Sequence, residues 1–249
     1  MKAMILAAGL GTRLRPLTNE RPKALVEIDG RPLLDILIQK LIQNNFQELI
    51  INVHHFADQI TQFLAQKSKY GIRIEISDER DQLLDTGGAL KKAAWFFDDQ
   101  QPFLLCNTDI ISDLDFRHFY QNHLENDAIA TLATRQRLTS RYLIFDLKEQ
   151  LCGWTNVKTG EVKMLRHGAQ RMQLLAFSGI HVISPRLFEF MPKEKAVFSI
   201  IDTYLEVASS QKTIRSFRHD EDDWLDVGKM ENLSQASVLL EKLSAKRIK

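Results

Sequence analysis

Residues 7–25 read AAGLGTRLRPLTNERPKAL, and three kinds of group in this stretch suit one chemistry. Gly9 and Gly11 lack Cβ atoms and tolerate positive φ, so backbone N–H groups there can turn inward around an anion. Arg13 and Arg15 carry rigid guanidinium forks suited to phosphate oxygens, and Lys23, just after Pro22, adds a mobile point charge. A polyphosphate is the ligand such a set would take. A tight turn with solvated arginines would account for the two glycines taken alone. The dinucleotide pattern G-x-G-x-x-G fails, because its third glycine position is Leu14, and G-x-x-x-x-G-K-[ST] does not occur in the chain. Hydride transfer with a nicotinamide dinucleotide is disfavoured on that ground.

Two acidic residues sit where a cation for that polyphosphate could be held. Asp109 follows the apolar run FLLCN, and Asp226 lies in WLDVG, between Leu225 and Val227. Mg²⁺ takes one or two carboxylates together with phosphate oxygens and waters. A lone aspartate after a strand more often caps a turn or a helix, as Asp115 is expected to do for a helix starting at Phe116. Asp220, Glu221, Asp222 and Asp223 read as a solvated acidic loop. The adjacent His54 and His55 read as structural, since neighbouring side chains diverge and no other residue completes a metal spacing.

The elements that must position these groups alternate. Residues 3–8, 48–53, 72–77 and 103–107 read as strands, and 32–45, 56–67 and 87–97 as helices, the last opening on Gly87 and Gly88 with Thr86 as its cap. In open α/β sheets ligands collect at the carboxyl ends of the strands, which is where residues 8–23 leave the first one. After about residue 126 the pattern turns to strands: AIATLAT, YLIFDL, a hairpin around Lys158-Thr159-Gly160, and a long strand at 174–183. Helices are expected near 185–191, 199–209 and 229–244, with strands TIRSF and WLDVG between. The expected fold is α/β, a Rossmann-like, mostly parallel mixed sheet with helices on both faces and a small antiparallel lobe. Residues 1–249 read as a single domain, about 1–125 forming one half and about 126–249 the other.

The bulk numbers narrow the partners. A net charge of +1 gives no global attraction to nucleic acid or an acidic membrane, so any positive field must be local. No apolar run approaches the roughly 20 residues needed to span a bilayer. The N-terminal MKAMILAAGLG reads as a first strand and not a leader. Cys106 and Cys152 have no Cys-x-x-Cys spacing and are expected as buried free thiols in a cytoplasmic protein.

The wider stretch LAAGLGTRLRPLTNERPKALVEIDGRPLL resembles the signature of the sugar-1-phosphate nucleotidyltransferases, which join a nucleoside triphosphate to a sugar 1-phosphate and release pyrophosphate. DERDQLLDTGGALKKA (78–93) and AFSGIHVISP (176–185) resemble two further blocks of that family. The resemblance implies that the backbone of Leu6, Ala7, Ala8 and Gly9 lines the base. Gly11, Thr12 and Arg13 would hold the triphosphate, and Lys23 would neutralise the α-phosphate region. Asp109 and Asp226 would hold Mg²⁺. It further implies that Thr86, Gly87 and Gly88 pack against the base and that Glu79 reads its edge. Asn107 and Gly179 would meet the sugar or its phosphate, with the antiparallel lobe as the sugar-binding part. The Glu-Lys-Pro block that many members place before the Gly179 strand is missing, and Lys163 or Arg166 are candidates to replace it. Larger members add a β-helix or acyltransferase domain, and none is expected here.

The resemblance is nearest in flavour to N-acetylmuramate-1-phosphate uridylyltransferases, with UTP and a hexosamine 1-phosphate as substrates. Mannose-1-phosphate guanylyltransferase, with GTP, is the runner-up, and Glu79 does not decide between the bases. A non-catalytic nucleotide sensor on the same fold is the reading from another class. The expected partners are small molecules, with no nucleic acid and no membrane, and the expected state is monomer or homodimer.

Overall fold

A computed structural model describes residues 1–165 and 171–246. In chain order its strands and α-helices are β1 (Lys2–Leu6), β2 (Glu27–Ile28), β3 (Arg31–Pro32), α1 (Leu33–Gln43), β4 (Glu48–Val53), α2 (Ala57–Gln66), β5 (Arg73–Asp78), α3 (Asp85–Lys92) and β6 (Phe103–Asn107). There follow β7 (Ile110–Ser112), α4 (Phe116–Leu124), β8 (Ala130–Arg135), β9 (Arg141–Asp146), β10 (Leu151–Asn156), β11 (Glu161–Met164) and β12 (Met172–Ile183). The chain closes with α5 (Ile200–Ser209), β13 (Ile214–Arg218), β14 (Trp224–Asp226) and α6 (Leu233–Lys246).

The chain divides into two compact units that are not consecutive halves: residues 1–83, 106–117 and 222–249 form the first, and 84–105 with 118–221 the second. In the first unit β1, β4 and β5 are parallel neighbours, with Leu6 opposite Asn52 and Asn52 opposite Ser77. Parallel strands need long crossovers, and α1 and α2 supply them. Leu33, Leu34, Leu37, Ile38 and Leu41 of α1 are buried, at the spacing of one helix face. Leu14, Val26, Ile28, Leu33, Ile111, Val227 and Ala236 make a core, against which Leu233, Leu239, Leu240 and Leu243 of α6 pack. That core lies under the glycine-rich loop, and the last helix is part of it.

In the second unit the ladder is mainly antiparallel. β12 pairs with β8 and β9, β9 with β10 and β10 with β11, while β13 adds to β8 in parallel. The β10–β11 hairpin turns at Gly160, whose φ of 74° is the left-handed conformation a tight turn requires. The architecture is therefore α/β with mixed strand directions. Both cysteines are buried and free, and burial pushes the Cys106 thiol pKa up. Among the described residues no helix is long and apolar enough to cross a membrane.

Three elements differ from expectation. The helix expected at 87–97 begins at Asp85, ends at Lys92, and is followed by a 3₁₀ turn at Ala94–Phe96. Its glycines lie inside the first turn and do not precede it. The 185–191 helix is a 3₁₀ segment, Pro185–Phe190, and the last helix begins at Leu233 after a 3₁₀ turn. Asp115 does accept the N–H of Arg117 at 2.9 Å, as a cap for α4.

Candidate active site

The loop leaving β1 is shaped by which of its residues have room. Ala7 and Ala8 are buried, whereas Gly9 is exposed and faces open space on the side where a Cβ would project. Gly11 has φ 65°, and a Cβ there would lie 2.9 Å from Lys23 Cβ and from Thr18 Cγ2. Only glycine satisfies both demands, and the close approach brings Lys23 against the start of the loop. The Thr18 hydroxyl donates to Gly11 O at 2.9 Å and fixes that approach. Leu14 is fully buried in the core beneath, so its exposed neighbours Arg13 and Arg15 are held on the outer side of a 3₁₀ turn, Thr12–Leu14.

Asp109 and Asp226 are distant in sequence, and an antiparallel ribbon brings them together. β7 and β14 pair Ile110 with Asp226, Ile111 with Leu225 and Ser112 with Trp224, and Val227 N–H donates to Asp109 O at 2.8 Å. At the other end of the ribbon Asp223 N–H donates to Asp113 Oδ1 at 2.7 Å. Lys246 Nζ lies 2.6 Å from Asp113 and 2.8 Å from Asp223, and Lys242 Nζ 2.7 Å from Asp223. Two members of the acidic run are therefore tied down by partners, while Glu221 between them is exposed. Asp223 ties the ribbon to α6, and in the second unit Asp220 pairs with Arg218 and accepts the N–H of Gln136 at 2.6 Å. A one-residue slip of the ribbon would turn Asp226 to the opposite face, so this register matters to the site.

Lys23 Nζ forms an ion pair with Asp109 Oδ2, and both side chains are mostly buried. The remaining members meet at Gly228, a residue that no local motif singles out. A Cβ on Gly228 would stand 2.8 Å from each of Arg13 Nη2, Asp109 Oδ2 and Asp226 Oδ1. The Gly228 N–H also donates to Asp226 Oδ1 at 2.7 Å. Arg13, Lys23, Asp109 and Asp226 thus share one small space, and a glycine leaves that space empty. WLDVG carries the signal in the sequence, but a glycine two residues after an aspartate is also what an ordinary tight turn contains.

Burial, and then the charge of Asp109, raises the Asp226 carboxyl pKa above its ordinary value. Two carboxylates in this proximity repel unless a cation lies between or beside them, and Lys23 is the cation in place. Among the described residues no group of three or more histidine, cysteine or acidic side chains forms a metal cluster. Two carboxylates facing an open loop fit Mg²⁺, which keeps waters and takes phosphate oxygens, better than zinc, which favours closed nitrogen and sulfur sets.

The other expected site residues have the following surroundings. Asn107 ends β6, partly exposed, two residues before Asp109. Glu79 is fully buried, and its Oε1 accepts from Asn52 Nδ2 at 2.8 Å. His54 Nδ1 meets Glu79 O at 2.6 Å, a structural contact. In the second unit, Gly87 and Gly88 N–H both donate to Phe198 O, at 2.9 and 3.2 Å. Cβ atoms there would overlap the Phe198 ring and the Ala196 carbonyl, which is itself a sufficient reason for two glycines. Thr86 does not cap its own helix. Its Oγ1 accepts the N–H of Ile200, the first residue of α5, at 2.9 Å. Gly179 has φ 77° where the β12–β8 register shifts, a bulge that calls for glycine. Lys163 is exposed beside Glu161, and Arg166 lies outside the described residues.

Known proteins share this sequence pattern and this fold. Residues 2–242 match the family model for nucleotidyl transferases. The chain is 34% identical over 193 residues to the N-acetylmuramate alpha-1-phosphate uridylyltransferase of Caulobacter vibrioides, covering 74% of this chain and 76% of that protein. It is 29% identical over 250 residues to the mannose-1-phosphate guanyltransferase of Yarrowia lipolytica, covering 99% of this chain and 66% of the other. The solved inositol-1-phosphate CTP transferase from T. maritima shares the fold, with a TM-score of 0.76 over 97% of this chain and 95% of that one, at 14% identity. A cationic loop and a pair of acids beside one glycine, on a chain matched along nearly its whole length, place the protein in the nucleotidyl transferase family, among the sugar-1-phosphate nucleotidyltransferases.

Proposed function

We propose that this protein transfers a uridylyl group from UTP to N-acetylmuramate 1-phosphate, or to a closely related hexosamine 1-phosphate, with Mg²⁺. The observation that carries the reading is the meeting of Arg13, Lys23, Asp109 and Asp226 around Gly228. An oxygen of the sugar phosphate attacks the α-phosphorus, a new P–O bond forms, and the bond from the α-phosphorus to the bridging oxygen breaks. Pyrophosphate carries away that electron pair. The attacking phosphate monoester is already ionised near neutral pH, so no general base and no covalent protein intermediate are needed. What the protein supplies is positioning and charge neutralisation. Arg13 steadies the departing phosphates, and Lys23 reduces the negative charge that repels the incoming oxygen. Asp109 and Asp226 would hold Mg²⁺, whose charge would help neutralise the phosphates. A sensor that only binds nucleotide has little use for two adjacent carboxylates.

The choice of UTP and an N-acetylmuramate-type sugar rests on likeness to the Caulobacter uridylyltransferase. The second reading, GTP with mannose 1-phosphate, draws on likeness to the Yarrowia guanyltransferase. Four nucleoside triphosphates assayed against a panel of sugar 1-phosphates with Mg²⁺, scored by pyrophosphate release, separate the two. UTP with N-acetylmuramate 1-phosphate should give the highest kcat/KM. A higher value for GTP with mannose 1-phosphate would move the assignment to the second reading, and binding without release in any combination would favour the sensor.

A further inference from the structure

β1 makes its last ladder pairing at Leu6, opposite Asn52 of β4. The next amide, Ala7 N–H, belongs to a buried residue and needs a partner. It finds one in a side chain: Asn52 Oδ1 accepts it at 2.7 Å. The other end of the same amide, Asn52 Nδ2, donates to Glu79 Oε1 at 2.8 Å. Asn52 and Glu79 are themselves buried, at 3% and 0% exposure. Glu79 is fixed in turn by its backbone, its N–H donating to Val53 O at 2.7 Å and its carbonyl meeting His54. A backbone N–H only donates, so Ala7 takes the Asn52 amide oxygen, and that leaves Nδ2 toward Glu79 and the amide one orientation. The Asn52–Glu79 bond lies between two buried side chains, so water does not compete for it.

We propose that Asn52 is a positioning residue for the nucleotide site, oriented by Glu79, which acts through it and does not read the base. By holding Ala7 N–H it sets the direction in which residues 8–13 leave β1, and with it the place of Gly9, Gly11 and Arg13. This rests on the nucleotide-site reading above. It carries a consequence that a base-reading glutamate does not: loss of either residue weakens UTP and GTP alike.

The test measures UTP and GTP affinity by calorimetry, with amide hydrogen exchange at Ala7, in Asn52→Leu, Glu79→Met and Glu79→Gln proteins. Loss of one such bond should weaken both nucleotides about tenfold in Asn52→Leu and Glu79→Met, with the UTP-to-GTP ratio unchanged. The double variant should be no weaker than either single, since the residues work as one unit. Glu79→Gln keeps an acceptor for Asn52 and should stay within about threefold of the parent. Ala7 exchange should accelerate in Glu79→Met and not in Glu79→Gln, which carries the test if Asn52→Leu does not fold. A Glu79 variant that changes the UTP-to-GTP ratio, additive effects, or an unchanged Ala7 amide in Glu79→Met would overturn the proposal. Binding and exchange are read without turnover, so a parent protein that binds nucleotide but releases no pyrophosphate would defeat the enzymatic reading alone.

Discussion

Replacing Gly228 with alanine should separate catalysis from stability. The new methyl would stand 2.8 Å from Arg13 Nη2, Asp109 Oδ2 and Asp226 Oδ1 at once. An ordinary carbon-to-oxygen or carbon-to-nitrogen contact is longer, so each group must retreat by about half an ångström, the tolerance within which a site keeps its productive geometry. The atoms that must move are side-chain tips and not backbone, so the fold can absorb the change, at about 1 kcal/mol or less against the roughly 1–3 kcal/mol of a true core overpacking. The site cannot absorb it, because misplacement on this scale costs about 10²-fold in rate. We expect pyrophosphate release to fall about a hundredfold in kcat/KM, with more Mg²⁺ needed for half-maximal rate, while the urea unfolding midpoint hardly moves. A Gly228→Ala protein within about threefold of the parent would refute the reasoning, since the three groups would not then need their present proximity.

Asp109→Ala should lower turnover by about 10²–10⁴-fold with circular dichroism unchanged, and near-normal pyrophosphate release would remove Asp109 from the metal-holding role. Lys23→Met should act in opposite directions on two readouts: slower turnover, but tighter Mn²⁺ binding without nucleotide, because the ammonium paired with Asp109 no longer opposes a dication. Weaker Mn²⁺ binding would contradict that pairing. Desolvation lowers the pKa of His181 to about 3, and desolvation followed by the charge of Arg186 lowers that of His123 to about 4. Each folded value lies below the unfolded value of about 6.5, so the unfolded chain binds more protons in between, and the stability present above pH 6.5 is lost as pH falls toward 4. Urea unfolding at pH 5 should therefore show about 2 kcal/mol less stability per histidine than at pH 7, and a flat profile would contradict the buried neutral state. Gly87→Ala drives a methyl into the Phe198 ring and should destabilise the protein by about 1–3 kcal/mol, which thermal unfolding would register.

The sequence was most legible where the controlling interactions are local. A buried strand followed by two glycines, three arginines and a lysine within twenty residues marks a candidate polyphosphate loop, and a family signature selects Asp109 and Asp226, which the fold brings together. Partners far along the chain left no such mark. Asp223 reads as one more acid in a run, and only the fold brings it to Asp113 and to Lys242 and Lys246 of α6. Gly228 looks like a turn residue until Arg13, from the other end of the chain, lies against it. Asn52 is an ordinary strand residue until the parallel register sets it between Ala7 and Glu79. Gly87 and Gly88 resemble a base-contacting turn, yet the chain itself supplies a reason for them in Ala196 and Phe198. The division into two interleaved units was equally hidden, because neighbours in sequence such as Leu105 and Cys106 fall on opposite sides of it.

Every catalytic role assigned above requires a single shared site for polyphosphate and cation in the first unit. Crystals grown with Mn²⁺ and a non-hydrolysable UTP analogue, with data collected at the manganese edge, test it directly. We expect one anomalous peak within bonding distance of Asp109 and Asp226 carboxylate oxygens and of the nucleotide phosphates, with Arg13 on the outer phosphates. A nucleotide bound elsewhere, or manganese without Asp226, would contradict it.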